Sequence, residues 1–491
     1  MRRLAFAALI ACAALVGGFS YAESSWNPQP WIDDLAQAQK ALETKYANLD
    51  WLEQSREVDL AALFADAKER LLAAQNDGEA KAAFERLIRR INDGHVSIDW
   101  PNAAQSADTS PPPAITDETG LCRSIGFDES HFSAGAARAL PGYQPLVADA
   151  TFPTGTVKTG GVTIGIVRIS EFTPQDAPSL CEEAVRALKV APAQPCDEDC
   201  QDKIYDEAYR RLTALFEDRL LRFKQDGVSV LMVDITNNGG GSEWAEAAAR
   251  MLSPRQLVSE RVGFVRGPHW VKHWSELADR LRDFAKNAPT EYRSRLLEWA
   301  RQADAAKKQA EKRCRTSDQC PWLGQASYAT GLVGAAPAGE FKGEPWGPDV
   351  FSPAQYAYRD GVWDGPVIVL VNEQTWSAAE EFASVLQDNG AALILGARTG
   401  GAGCGHTNGG TPTRLKNSGA TLELPDCARF RLDGSNEVNG VMPDQLIAWR
   451  ATDGSRFQAK LLKAALPQAV DRAATLYRLQ TPAPNSATPQ P

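Results

Sequence analysis

The chain has 491 residues, of which 43% are apolar and 23% charged, and its formal net charge is -10. That apolar content excludes wholesale disorder, and the length exceeds what one compact core usually absorbs, so a main domain with smaller attachments is expected. The acidic balance, with no Lys/Arg run, offers no basic face to a polyanion and excludes nucleic acid as a partner.

Arg2 and Arg3, the apolar run from Leu4 to Val16 and the small residues up to Ser20-Tyr21-Ala22 form a secretory signal pattern, with cleavage expected after Ala22. A lipobox at Leu9-Ile10-Ala11-Cys12 is the alternative, but it leaves the apolar stretch after Cys12 without a role. The signal's core is too short to span and no later segment is long enough to cross a membrane, so a soluble periplasmic or secreted protein is expected, without stable membrane insertion. Eight of the nine cysteines remain after cleavage, an even number in an oxidising compartment. Short spacings single out Cys196 with Cys200, Cys314 with Cys320 and Cys404 with Cys427 as disulfides. No CxxC pair or nearby histidine completes a zinc set, and neither a metal nor another cofactor is expected.

In chain order, residues 23–97 read as an N-terminal helical domain. Leu60, Leu63, Phe64, Ala67 and Leu71 share one helical face, and Phe84, Leu87, Ile88 and Ile91 repeat the spacing. Asn92-Asp93-Gly94 breaks the second helix and leaves His95 in a turn or at the start of a strand. Residues 98–161 read as a linker or small β region, Pro/Ser/Ala-rich from Pro101 to Pro113. The main domain is expected over 162–450. Its strands are 162–169, the near-continuous apolar run 228–235, 366–371 and 392–395, with helices at 243–252 and after Ser377. A charged, helix-patterned insertion occupies about 265–345, with Leu277, Leu281 and Phe284 on one face. Residues 451–491 read as a C-terminal helix and a Pro/Ala/Thr-rich disordered tail. Strand, helix, strand in this order is a βαβ-like arrangement whose loops converge at one end, so the fold class is α/β.

Ser377 follows a strand and opens a helix, which places its hydroxyl and the Ala378 N–H at the positive end of a macrodipole. Such a site suits the oxyanion that develops in acyl transfer, and Gly239-Gly240-Gly241 is a natural source of a second N–H. A plain helix N-cap is the competing reading of the serine.

Several segments carry a resemblance that favours catalysis. Residues 233–241, Val-Asp-Ile-Thr-Asn-Asn-Gly-Gly-Gly, resemble the Asp-Leu-Arg-Asn-Asn-Gly-Gly-Gly strand and loop of the C-terminal processing and tricorn-type serine peptidases. Residues 369–373, Ser377-Ala378-Ala379-Glu380 and residues 386–393 are similar to that family's nucleophile segment. Residues 163–169 with Phe172 resemble its opening strand, and Gly440-Val441-Met442-Pro443-Asp444 its closing Gly-Val-x-Pro-Asp. The resemblance implies a ClpP/crotonase-like core, peptide-bond hydrolysis, Ser377 as nucleophile, and Gly240 and Ala378 as oxyanion donors.

The processing peptidases carry a lysine base in Thr-Phe-Gly-Lys-Gly, whereas this chain reads Thr399-Gly400-Gly401-Ala402-Gly403. The lysine-free, tricorn-like branch uses a histidine from Asp-Gly-His, and Asp93-Gly94-His95 stands at that place. The resemblance therefore implies His95 as base and Glu437, three residues before Gly440, as the carboxylate that orients it. Gly94 replaces the serine that precedes the tricorn histidine. His406, just past the glycine run, is the alternative base, and activity is expected to rise through about pH 6.5 for an ordinary imidazole. His269 and His273 lack a third ligand and read as surface or packing residues, and Glu380 and Asp388 as helix-end structure. No PDZ carboxylate loop is visible between 99 and 161. The expected substrate is a peptide or unfolded protein, the oligomeric state is open, and the rival class is a non-catalytic ligand- or peptide-binding protein on the same fold.

Overall fold

A computed structural model describes residues 26–101, 115–128, 133–148, 151–312, 314 and 321–480. The expected signal peptide, most of the Pro101–Pro113 loop, Cys320 and the tail beyond residue 480 lie outside the described residues.

The central sheet follows from apolar runs with no polar face. Val230–Asp234 and Val367–Val371 are buried at every position. Side chains alternate across a strand, so Leu231, Val233, Val367, Val369 and Val371 enter one core while Val230, Met232, Ile368 and Leu370 enter the other. These two strands lie between Val162–Arg168 on one side and Leu393–Gly396, then Gln445–Leu446, on the other, all parallel. Thr154–Thr159 and Gln144–Val147 extend the sheet antiparallel beyond Val162–Arg168, giving seven strands. The linker or small β region expected over 98–161 thus supplies an edge of the main sheet.

Helices cover both faces, as a parallel sheet requires. On one face sit Glu198–Gln225, Trp244–Met251 and Ala378–Asp388, contributing Phe216, Trp244 and Phe382 to the core. On the other lies the C-terminal helix Ser455–Gln480, through Leu462, Leu466 and Ala469.

Two smaller layers flank this sandwich. The N-terminal helices Gln29–Lys45, Leu60–Ala73 and Asp77–Ile91 share a core that includes Leu63, Phe64, Phe84 and Leu87, as the periodicity predicts. Asn76 caps the last of them by accepting from the Glu79 N–H at 3.0 Å, and Asn92, at φ 53°, ends it in the left-handed region. The insertion is a helical hairpin, Pro268–Asn287 and Thr290–Glu311, closed by strand Leu323–Tyr328. That strand pairs with Arg261–Val265, which pairs in turn with Cys427–Phe430. Three disulfides join described residues: Cys196–Cys200 and Cys404–Cys427, as their spacing suggests, and Cys122–Cys181. Among the described residues no helix is long and apolar enough to cross a membrane.

Candidate active site

The parallel strands deliver their following loops to one end of the sheet. After Val230–Asp234 the chain turns at Asn237, φ 57°, and after Val367–Val371 it turns at Asn372. The two asparagines clamp these loops together: Asn237 N–H donates to Asn372 Oδ1 at 2.9 Å and Asn372 Nδ2 to Asn237 Oδ1 at 2.7 Å. Trp376 N–H donates to Asn238 O at 2.9 Å, which sets the Ser377 turn directly on the glycine loop.

Ser377 stands at the head of helix Ala378–Asp388 with φ 55° and ψ -122°. A non-glycine residue held there stores about 1–3 kcal/mol of strain and persists only where its surroundings over-determine it. Its N–H donates to Glu380 Oε2 at 3.0 Å, and its carbonyl accepts from the Glu380 and Glu381 N–H groups and from Arg429 Nη2. The Ala378 N–H, in the first turn, has no intrahelical acceptor.

Gly240, at φ 121°, backs onto the serine. A Cβ there would stand 2.8 Å from Ser377 Cβ and 3.2 Å from Ala378 N, so only glycine fits. Its N–H, expected to be an oxyanion donor, donates to Asn238 Oδ1 at 2.8 Å in this conformation. Gly241 lines the same cavity as Ser377 and Ala378.

His95 reaches that cavity from the N-terminal helices. Its turn is anchored by buried Asp93, whose Oδ1 accepts the His95 N–H at 3.0 Å and whose Oδ2 accepts from Tyr46 Oη and Asn48 Nδ2, each at 2.9 Å. Burial raises the Asp93 carboxyl to about 6. At Gly94 the turn lies against Ala402 and the Trp376 ring, 2.9 Å and 3.3 Å from where a Cβ would sit. His95 Nδ1 is 2.7 Å from Ala402 O. A carbonyl only accepts, so Nδ1 carries the proton and the neutral ring keeps a free Nε2 lone pair. Burial, with help from Arg429 and His406, lowers the imidazole from 6.5 to about 4 despite the Ala402 bond.

The Gly400-Gly401-Ala402-Gly403 loop thus meets His95 through its backbone. Glu380, fully buried, holds it: Oε1 accepts from Gly401 N–H at 2.7 Å and from the Thr399 hydroxyl, and Oε2 from Ala402 N–H at 2.7 Å. Burial, with the nearby Glu437, pushes the Glu380 carboxyl up to about 7.

Glu437 has a different partner from the expected one. It is fully buried and pairs with Arg429 Nε, while the His95 Nδ1 position is taken by Ala402 O. Arg429 also meets Glu381 Oε2 at 2.8 Å and Glu260 at 3.5 Å, and its Nη2 reaches Gly403 O at 3.1 Å. Burial raises all three of these carboxyls. This cluster escapes a sequence reading because its members are far apart in the chain. One local signal exists, a charged residue inside the otherwise apolar strand Cys427–Phe430.

Ser377, Ala378, His95, His406 and Arg429 line one cavity of about 610 Å³, with Trp270, His273, Trp274 and Leu277 of the insertion forming another wall. The His406 ring packs edge-on to His95, centroids 5.9 Å apart. His269 is tied to the loop and strand beside it, its Nε2 2.8 Å from Thr407 O and 3.3 Å from Asp426 Oδ2. Asp388 pairs with Arg431.

A sequence model of peptidase family S41 matches residues 163–447, more than half of the chain. Among curated proteins, a carboxyl-terminal-processing protease of Picosynechococcus sp. is 35% identical over 93 residues, 17% of this chain and 19% of that protein. A Chlamydia trachomatis protein is 58% identical over 38 residues, 8% of this chain and 6% of that protein. The chain thus aligns with a fifth or less of the length of these curated relatives. In three dimensions it is similar to the crystal structure of mature CPAF, with TM-score 0.59 and 17% identity, covering 94% of this chain and 99% of that one. Mature CPAF complexed with lactacystin gives 0.58 at 17% identity, covering 91% and 99%. At such identities the likeness speaks to the fold. The family match, carried by the strands and loops that build the Ser377 site, assigns the chain to peptidase family S41.

Proposed function

We propose that the protein is an exported serine endopeptidase that cleaves peptides or unfolded proteins through an acyl-enzyme. The observation that carries the reading is the shared cavity of Ser377 and His95, with His95 Nδ1 committed to Ala402 O and Nε2 left free. Ser377 Oγ bonds to the substrate carbonyl carbon as its proton passes to His95 Nε2. The tetrahedral intermediate collapses, the C–N bond breaks, and the same proton goes to the leaving amine. A water, deprotonated by Nε2, then hydrolyses the ester, and the proton returns to Ser377.

The developing oxyanion is held by the Ala378 N–H and by the Gly240-Gly241 turn, whose Gly240 N–H becomes available when Asn238 Oδ1 lets go. Glu437 acts on this site through Arg429 rather than as a direct partner of the imidazole. The tryptophans of the insertion wall favour a large apolar side chain next to the scissile bond. The disulfides and the N-terminal signal pattern support export to an oxidising compartment.

The test is proteolysis of an unfolded protein by the purified mature chain, with Ser377→Ala as control. Cleavage that disappears in the variant supports the reading. A folded wild-type protein that binds peptides without cleaving them favours a binding role on the same fold.

A further inference from the structure

The nucleophile turn and the base-holding loop come from distant parts of the chain, and one side chain touches both. We infer that Arg429 is a positioning residue, whose guanidinium fixes the Ser377 turn to the loop that holds His95. The inference rests on the Ser377–His95 reading of the site.

A single nitrogen, Nη2, donates to Ser377 O at 3.0 Å and to Gly403 O at 3.1 Å. Gly403 follows Ala402, whose carbonyl holds His95 Nδ1 at 2.7 Å. Ser377 sits at a positive φ that a side chain rarely adopts and that its surroundings must hold, and Arg429 is the partner of its carbonyl from outside its own helix.

The rest of the guanidinium keeps that nitrogen in place. Nη1 meets Glu381 Oε2 at 2.8 Å, on the nucleophile helix, and Nε meets Glu437. The backbone of Arg429 is located as well, because Cys427, two residues earlier on the same strand, is bonded to Cys404, the residue after Gly403. A planar fork with five donors serves four acceptors at once, which the single ammonium of lysine does not reproduce. Desolvation opposes the charge on this buried arginine, but Glu437, Glu381 and Glu260 outweigh it and keep it protonated.

Two variants separate geometry from charge. Arg429→Lys keeps the cation and loses the fork, whereas Arg429→Met loses both, and the carboxyls it leaves behind take up protons. The probe is a fluorophosphonate, and the readouts are the rate of Ser377 labelling and its dependence on pH. The charged and titratable groups facing His95 are Arg429, His406 and Asp93, so Arg429→Met removes a cation from that set.

Labelling should slow about 100-fold in both variants, the cost of misplacing reacting groups by about 1 Å. The acid limb should move upward in Arg429→Met and stay near its wild-type position in Arg429→Lys. A role confined to stability would lower the thermal midpoint and leave the rate and limb of the folded fraction unchanged. If Arg429→Met does not fold, Arg429→Lys decides: wild-type labelling in that folded variant overturns the inference alone. An unlabelled wild-type protein overturns the peptidase reading and this inference together.

Discussion

Lowering the pH from 7 to 4 distinguishes a buried catalytic imidazole from an exposed one. An ordinary histidine titrates near 6.5, and the sequence alone predicts a rate that rises through that value. In the structure, desolvation brings His95 down to about 4. At pH 5.5 an unshifted ring would be only about 10% neutral, whereas one with a value of about 4 is about 97% neutral. The rate of Ser377 labelling, or of peptide cleavage, should therefore stay nearly flat from pH 7 to 5 and fall through about pH 4. The shift also bears on stability, with a definite sign. The unfolded chain binds more protons between about pH 4 and 6.5, so this contribution is complete above 6.5 and lost as the pH falls to about 4. It is worth at most about 3 kcal/mol, because the ring keeps an edge on the cavity. Asp93, raised to about 6, and Glu380, raised to about 7, bind protons in the folded state and act in the opposite direction. Global stability thus mixes several groups, and the rate profile is the cleaner assay. A limb near 6.5 in the wild-type protein would refute the burial argument, as would an unchanged limb in the residual activity of His95→Ala.

Other outcomes follow from contacts around the site. Gly94→Ser places a side chain within 2.9 Å of Ala402 Cβ and should lift the His95 turn, slowing labelling about 10-fold or more with the thermal midpoint little changed. Gly240→Ala meets both a φ of 121° and the Ser377 Cβ, and should cut peptide cleavage about 100-fold when measured against a wild-type control. Opening the Cys404–Cys427 bridge in the double Cys→Ser variant frees a 23-residue separation, costs about 3 kcal/mol by denaturant titration, and should slow labelling because the loop that holds His95 adjoins Cys404.

The sheet was legible because its strands carry the plainest signal in the chain. Val228 to Ile235 and Pro366 to Val371 are too apolar to face water, and they form the two central strands that place the glycine loop and Ser377. The helix break at Asn92 was likewise visible, and it leaves His95 in a turn before strand Ser97–Asp99. The partners of these groups were much less legible. The acceptor for His95 Nδ1 is a main-chain carbonyl, and backbone atoms leave no mark on residue identity. Glu380 is a helix-end residue, as its position suggests, but its reach to Thr399, Gly401 and Ala402 depends on the return of a later strand. Glu260, Glu381 and Glu437 meet Arg429 only because the ribbon of Arg261–Val265 and Cys427–Phe430 comes to lie beside helix Ala378–Asp388, a non-local pairing.

The central claim is that Ser377 is made nucleophilic by His95. Its most direct measurement is peptide mapping by mass spectrometry after fluorophosphonate treatment of the mature wild-type protein, His95→Ala and His406→Ala. A single adduct on Ser377 that is lost with His95 and kept without His406 is the predicted result. An adduct that survives in His95→Ala and vanishes in His406→Ala, or no adduct on folded wild-type protein, would contradict it.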